Sequence, residues 1–301
     1  MELWIPITIA AAFLQNLRSA LQKHLQGRLS TGGAAYARFL YAWPFALVYL
    51  WGLHGIGGLA WPAPNGLFLL YCVLGGLTQI LFTVLLLWLF SLRSFAVGTT
   101  FSKLELVMVA GLGAAILGDG LGLAAMLAVL VSAAGVVCLS LDRTRLTLGA
   151  LLAGLAEKPT LIGLACAACL GASVVFFRGG ALALGHDNVA MAAGFTFAIA
   201  VVLQTLMMGA WICWREPGEI TRILRHWRWA APVGVAGALG SVCWFTAFTM
   251  QNAAYVRALG QIELVFTFVV SVAVFRERVS RMEVTGIVLV VGAILLLLLA
   301  G

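Results

Sequence analysis

Ten apolar runs, separated by short charged or Gly/Pro-rich breaks, occupy this chain almost from end to end. They cover about 4–23, 34–53, 66–90, 95–117, 121–140, 160–182, 188–212, 229–249, 254–275 and 283–300. A helix that crosses a bilayer needs about 20 predominantly apolar residues, so each run predicts one transmembrane helix. The runs are continuous rather than alternating, which disfavours the strands of a membrane β-barrel. The opening MELWIPITIAAAF has no basic n-region and no clear small-residue cleavage site, and it reads as the first span rather than a signal peptide.

Within this pattern a short stretch occurs twice. Lys103-Leu104-Glu105-Leu106-Val107 in the fourth run returns as Gln261-Ile262-Glu263-Leu264-Val265 in the ninth, an offset of 158 residues. The same offset superposes Asp119 on Glu277. The longest polar interruptions are 141–159 and 213–228, and the first divides the chain into halves of five runs, 1–140 and 160–301, joined by the linker 141–159. Five is odd, so the two copies must enter the membrane in opposite senses. The expected fold is therefore an all-α integral membrane protein of ten transmembrane helices, arranged as two inverted five-helix repeats around a central cavity.

Composition narrows the class. Hydrophobic residues make up 63% of the chain and charged residues 10%, with a mean hydropathy of +1.07. Soluble domains carry about 25% charged residues, so lipid must be the main solvent. The net charge of +7 is read as orientation rather than as affinity for nucleic acid. Loops after odd-numbered runs and their flanks hold Arg18, Lys23, Arg28, Arg38, Arg93, Arg143, Arg145, Lys158, Arg215, Arg222, Arg225, Arg228, Arg276, Arg278 and Arg281. The even loops and flanks hold only Arg178 and Arg257. By the positive-inside rule, the odd loops face the cytoplasm and both termini lie outside, in a bacterial-type inner membrane. All six cysteines fall in apolar runs, and Cys166-x-x-Cys169 has no ligand-type neighbours, so these read as small hydrophobes.

Ionisable groups at membrane depth are costly, and each is a functional hypothesis. Residues four apart share a helix face, so Thr99 and Lys103 look one way and Glu105 the other; Arg257 and Gln261 repeat that face, with Glu263 opposite. Lys103 and Gln261 are expected in the cavity. Glu105 and Glu263 either join packed helices or form a second polar seam. The first run carries Gln15, Ser19, Gln22 and Gln26, flanked by Asn16 and by Arg18, which either lines the interior or snorkels to the surface. The eighth run presents Ser241, Trp244, Phe245 and Phe248, and the third Thr78, Gln79, Phe82 and Leu86. A few polar groups among aromatics are what a small-molecule cavity needs. Tyr255, opening the ninth run, fits an interfacial belt.

The chain has no phosphate-loop motif, so ATP does not drive it directly. No cluster with metal-ligand spacing, serine-hydrolase elbow or H-E-x-x-H motif is present, and neither a cofactor nor a metal is expected.

Ten runs in two inverted halves, with K/Q-[LI]-E-L-V followed by Asp119 or Glu277, resemble the drug/metabolite transporter superfamily in its two-domain EamA-type form. The resemblance covers the whole chain, and Gly260-Gln261-Ile262-Glu263-Leu264-Val265 with Phe275-Arg276-Glu277-Arg278 carries it most specifically. Size and layout are similar to the YddG-type amino-acid exporters. The resemblance implies a helical basket lined by spans 1, 3, 4, 6, 8 and 9, with spans 5 and 10 outside, and secondary transport. Small multidrug members use a glutamate in their first span; Gln15 and Asn16 stand here, which weighs against export of cationic drugs by proton exchange.

The expected function is export of amino acids or similar zwitterions by alternating access. Lys103 would meet the carboxylate, Asn16, Gln79 and Gln261 would supply hydrogen bonds, and Trp244 and Phe245 the wall. The other carrier reading is an anionic metabolite such as a sugar phosphate or nucleotide sugar, held by Lys103, Arg18 and Arg257. A structural or sensory membrane protein is the reading outside transport. The expected partners are a small-molecule substrate and the lipid bilayer, without nucleic acid, and the chain is expected to be a monomer.

Overall fold

A computed structural model describes residues 2–25, 28–91, 104–144, 149, 158–266 and 280–300. Among these every regular element is helical: α1 (Trp4–Leu25), α2 (Thr31–Leu40), α3 (Trp43–Gly55), α4 (Gly66–Ser91), α5 (Glu105–Leu112), α6 (Leu123–Thr144), α7 (Lys158–Ala183), α8 (Val189–Arg215), α9 (Glu219–Arg225), α10 (Trp227–Met250), α11 (Ala253–Gly260) and α12 (Arg281–Ala300). Five of the described helices are long and apolar enough to cross a membrane: Gly66–Leu86, Lys158–Ala183, Val189–Arg215, Trp227–Met250 and Arg281–Leu299.

Local chemistry sets the ends. Ser30 and Asn188 cap α2 and α8 by accepting from the Gly33 and Met191 amides, and Asn252 caps α11 through the Ala254 amide. The second apolar run, expected as one helix over 34–53, is two. Pro44 enters the first turn of α3 with no amide to offer the Leu40 carbonyl, so the chain breaks at Tyr41 and Ala42. In the fourth run, α5 continues as a π turn over Gly113–Leu117, which ends at Gly118 in the left-handed conformation (φ 68°).

The helices form two compact units. The first comprises Met1–Val84 with Ser173–Gln251. There α1 packs along α10, and α2 and α3 pack against both α8 and α10, around a core that includes Phe39, Phe68, Met191 and Ile212. The second comprises Leu85–Ala172 with Asn252–Gly301. There α6 lies along α12 and α11 packs on α5, around Leu106, Val109, Leu259 and Val290. α4 and α7 each contribute one end to both units. Outward-facing Phe45, Val48, Trp51, Leu81, Leu130 and Leu206 remain exposed, the surface that lipid covers.

Candidate functional site

A narrow cavity lies inside the first unit. Arg38, Phe39 and Ala42 line it from α2 and the break after it, Gln79 from α4, Phe197, Val201 and Gln204 from α8, and Gly237, Ser241 and Phe245 from α10. Its volume of about 10 Å³ is close to what one water needs, so this conformation is occluded to anything larger. The Gln204 amide donates to the Gln79 side-chain oxygen at 2.8 Å, tying α8 to α4 beside the cavity. Phe245 anchors the apolar wall, its ring 4.9 Å from that of Phe177 and 5.6 Å from that of Phe197. Thus the structure brings Gln79, Ser241 and Phe245 to one place.

The charge pattern makes Arg38 a basic flank at the membrane edge; the structure buries it, 6% exposed, on the cavity wall. The reason is α2 itself: residues 32–39 are all buried between α8, α10 and α1, leaving Arg38 no path to the surface. Among the described residues no carboxylate lies within ion-pair distance of Arg38. Its guanidinium lies 5.2 Å from the centre of the Phe39 ring. Arg18 reaches the same place from α1. A β-carbon on Gly237 would lie 3.5 Å from the Arg18 Cδ and 3.6 Å from the Arg38 Cγ. Neither Gln204 nor Phe197 stands among the candidates above; Gln204, an amide deep inside the apolar run 188–212, is the available signal.

Other candidates fall outside this cavity. Asn16 and Gln15 are half-buried on α1, where the Gln15 carbonyl accepts from Ser19 at 2.8 Å. Trp244 is buried and stacks on Phe248, ring centres 5.3 Å apart. Thr99 and Lys103 lie outside the described residues.

In the second unit Arg257 is buried and forms an ion pair with Glu105. The carboxylate of Glu263 acts on the same guanidinium. The charge pattern makes Arg257 a loop flank; the structure buries it, paired with Glu105 at the start of α5. Gln261 is buried in the turn that closes α11, and Tyr255 is half-buried on that helix.

Apolar membrane-length helices surrounding a small polar cavity define a multi-pass membrane protein. Residues 158–299, a little under half of the chain, match the EamA-like transporter family. Members of that family are transporters of small molecules rather than enzymes. A solved crystal structure is similar over 99% of this chain and 96% of its own, with a TM-score of 0.70 and 16% identity. At that identity the likeness concerns the fold alone. No curated protein matches the chain.

Proposed function

We propose that the protein is a secondary carrier that exports amino acids or related small metabolites by alternating access, built as two inverted five-span repeats. The observation that carries the substrate reading is the cavity of the first unit. A zwitterion needs donors for its carboxylate, acceptors for its ammonium and an apolar wall for its side chain. Arg38, the Gln79–Gln204 amide pair, Ser241 and the rings of Phe197 and Phe245 supply these in turn.

Helix boundaries support the repeat. At the offset of 158 the first residue of α2, Thr31, maps to the first of α8, Val189, and Leu123 of α6 maps to Arg281 of α12. The last residue of α1, Leu25, maps to the last of α7, Ala183. The caps follow as well: Ser30 on Gly33 maps to Asn188 on Met191. Spans 1 and 2 share a unit with spans 7 and 8, and span 5 shares one with span 10.

For orientation, the support is the belt at the end of the first unit. Trp211, Trp214, Trp227 and Trp229 are exposed there among Arg215, Arg222, Arg225 and Arg228, and the Arg28 guanidinium covers Trp229 at 4.1 Å. Aromatics mixed with arginine are what a cytoplasmic interface carries, in an inner membrane with both termini outside. The convergence of Arg18 and Arg38 near Gly237 also favours a second reading, a carrier of anionic metabolites.

Purified protein in proteoliposomes preloaded with unlabelled amino acids tests the proposal. Counterflow of a radiolabelled neutral amino acid above that of empty vesicles is the expected result. A panel of amino acids with no counterflow, alongside exchange of sugar phosphates, would replace the first reading with the second.

A further inference from the structure

The cavity supplies charge for one end of a zwitterion and none for the other. Arg38 is buried on its wall without a carboxylate among the described residues, and Arg18 acts on it as a like charge. An ionised group in a low-dielectric interior is stable only when hydrogen-bonded or paired, and in a membrane interior such a group marks a binding function. Gly237 keeps space open where the two arginine stems meet, since any side chain there would grow between them. The rest of the lining is two amides, one hydroxyl, Ala42, Val201 and the rings of Phe39, Phe197 and Phe245, with no Asp or Glu among the described lining residues.

We infer that the site recognises a small organic carboxylate, its two oxygens on the Arg38 fork and its apolar body against Phe197 and Phe245, and that an amino group on the ligand is dispensable. The planar guanidinium matches a carboxylate bidentately. One cavity-lining guanidinium within an apolar wall suits a monoanion better than a phosphate dianion. This inference rests on the transport reading and narrows its substrate class to carboxylates, with or without an amino group.

Four probes on the purified full-length protein decide it: L-phenylalanine, 3-phenylpropanoate (no amino group), phenylalaninamide (no carboxylate) and phenyl phosphate. Binding is read by calorimetry in detergent, and competition by counterflow in proteoliposomes. The two carboxylates are expected to bind within about tenfold of each other, and the amide at least tenfold more weakly, because a charge-assisted pair is lost. Arg38→Gln is expected to weaken both carboxylates about ten- to hundredfold and leave the amide unchanged. Arg38→Lys falls between, since a point charge replaces the fork. If Arg38→Gln does not fold, the wild-type series still decides. Amide binding equal to acid binding overturns the inference, as does wild-type carboxylate affinity in Arg38→Gln, or no binding by any probe. Phenyl phosphate binding tenfold tighter than 3-phenylpropanoate overturns the carboxylate assignment. The two readings fail separately: carboxylate binding without counterflow sinks the carrier and keeps the site, whereas counterflow of acid and amide alike keeps the carrier and sinks the site.

Discussion

Glu105 and Arg257 form an ion pair in the interior of the second unit, which ties the first copy of the repeated motif to the helix that leads into the second. Glu105 opens α5, where the helix N-terminus also favours a carboxylate. Arg257 precedes Gln261 by one helical turn, and Glu263 acts on it as well. The duplicated glutamates thus share one guanidinium. Removing one member of a buried pair leaves a charge uncompensated, at about 3–5 kcal/mol. Glu105→Ala is expected to lower the apparent Tm of the purified protein strongly. The reversal Glu105→Arg with Arg257→Glu should recover part of that loss. An unchanged Tm for Glu105→Ala would mean that Glu263 alone satisfies Arg257.

The first unit has its own carboxylate device. Glu219, on α9, accepts from the Ser30 amide at 2.7 Å, and Glu216 takes the Ser30 hydroxyl, so two acids from beyond α8 hold the start of α2. α2 comes this close because residues 32 and 33 are glycines: a β-carbon on Gly33 would collide with the Glu219 carboxylate. Gly33→Ala is expected to push Glu219 off Ser30 and cost about 1–3 kcal/mol, the penalty for an unsatisfied buried group. Glu219→Gln retains an acceptor and loses only the pair with Arg222, which is 55% exposed and contributes little. Melting curves of the two variants should therefore rank Gly33→Ala below Glu219→Gln. The reverse order would show that charge, not fit, holds α2.

Gly135 and Gly286 govern the contact of α6 with α12. A β-carbon on Gly135 would lie 2.8 Å from the Gly286 carbonyl oxygen, and one on Gly286 2.9 Å from that of Gly135. Both obstacles are backbone and cannot move aside, and helices in lipid associate largely by such close packing. Gly135→Leu and Gly286→Leu are each expected to reduce the folded, monodisperse fraction on size exclusion by well over half. Normal elution of both variants would remove this contact from the list of what holds the second unit.

Most of the helix framework could be read from the chain, because a span of lipid-facing residues is a strong, continuous signal. The apolar runs 66–90, 160–182 and 188–212 became α4, α7 and α8 with edges shifted by a few residues. The break in the second run was missed although Pro44 was visible, since hydropathy takes no account of a lost amide. The site was legible in part. Gln79, Ser241 and Phe245 stood out as polar or aromatic residues on helix faces. Arg38 did not, because near a run's edge a snorkelling arginine and a buried one look the same in sequence; only the packing of α2 by its neighbours separates them. Nor could spacing alone say that Arg257 reaches Glu105, a contact between segments some 150 residues apart.

Cys213 offers a direct test of orientation in the unmodified chain. It is the exposed cysteine of the six, beside Trp214 and Arg215 at the end of α8, while Cys72 and Cys166 are buried and the others half-buried within helices. Thiolate is the reacting form, and a reagent in water reaches a thiol at the surface. If the basic loop 215–228 lies on the cytoplasmic side as proposed, a membrane-impermeant maleimide should label the protein in inside-out vesicles and not in intact cells. Cys213→Ser should abolish that labelling, which assigns the signal to this thiol. Labelling of intact cells that Cys213→Ser removes would reverse the proposed orientation and, under the ten-span proposal, place both termini in the cytoplasm. The helix packing of either unit would be untouched by that outcome.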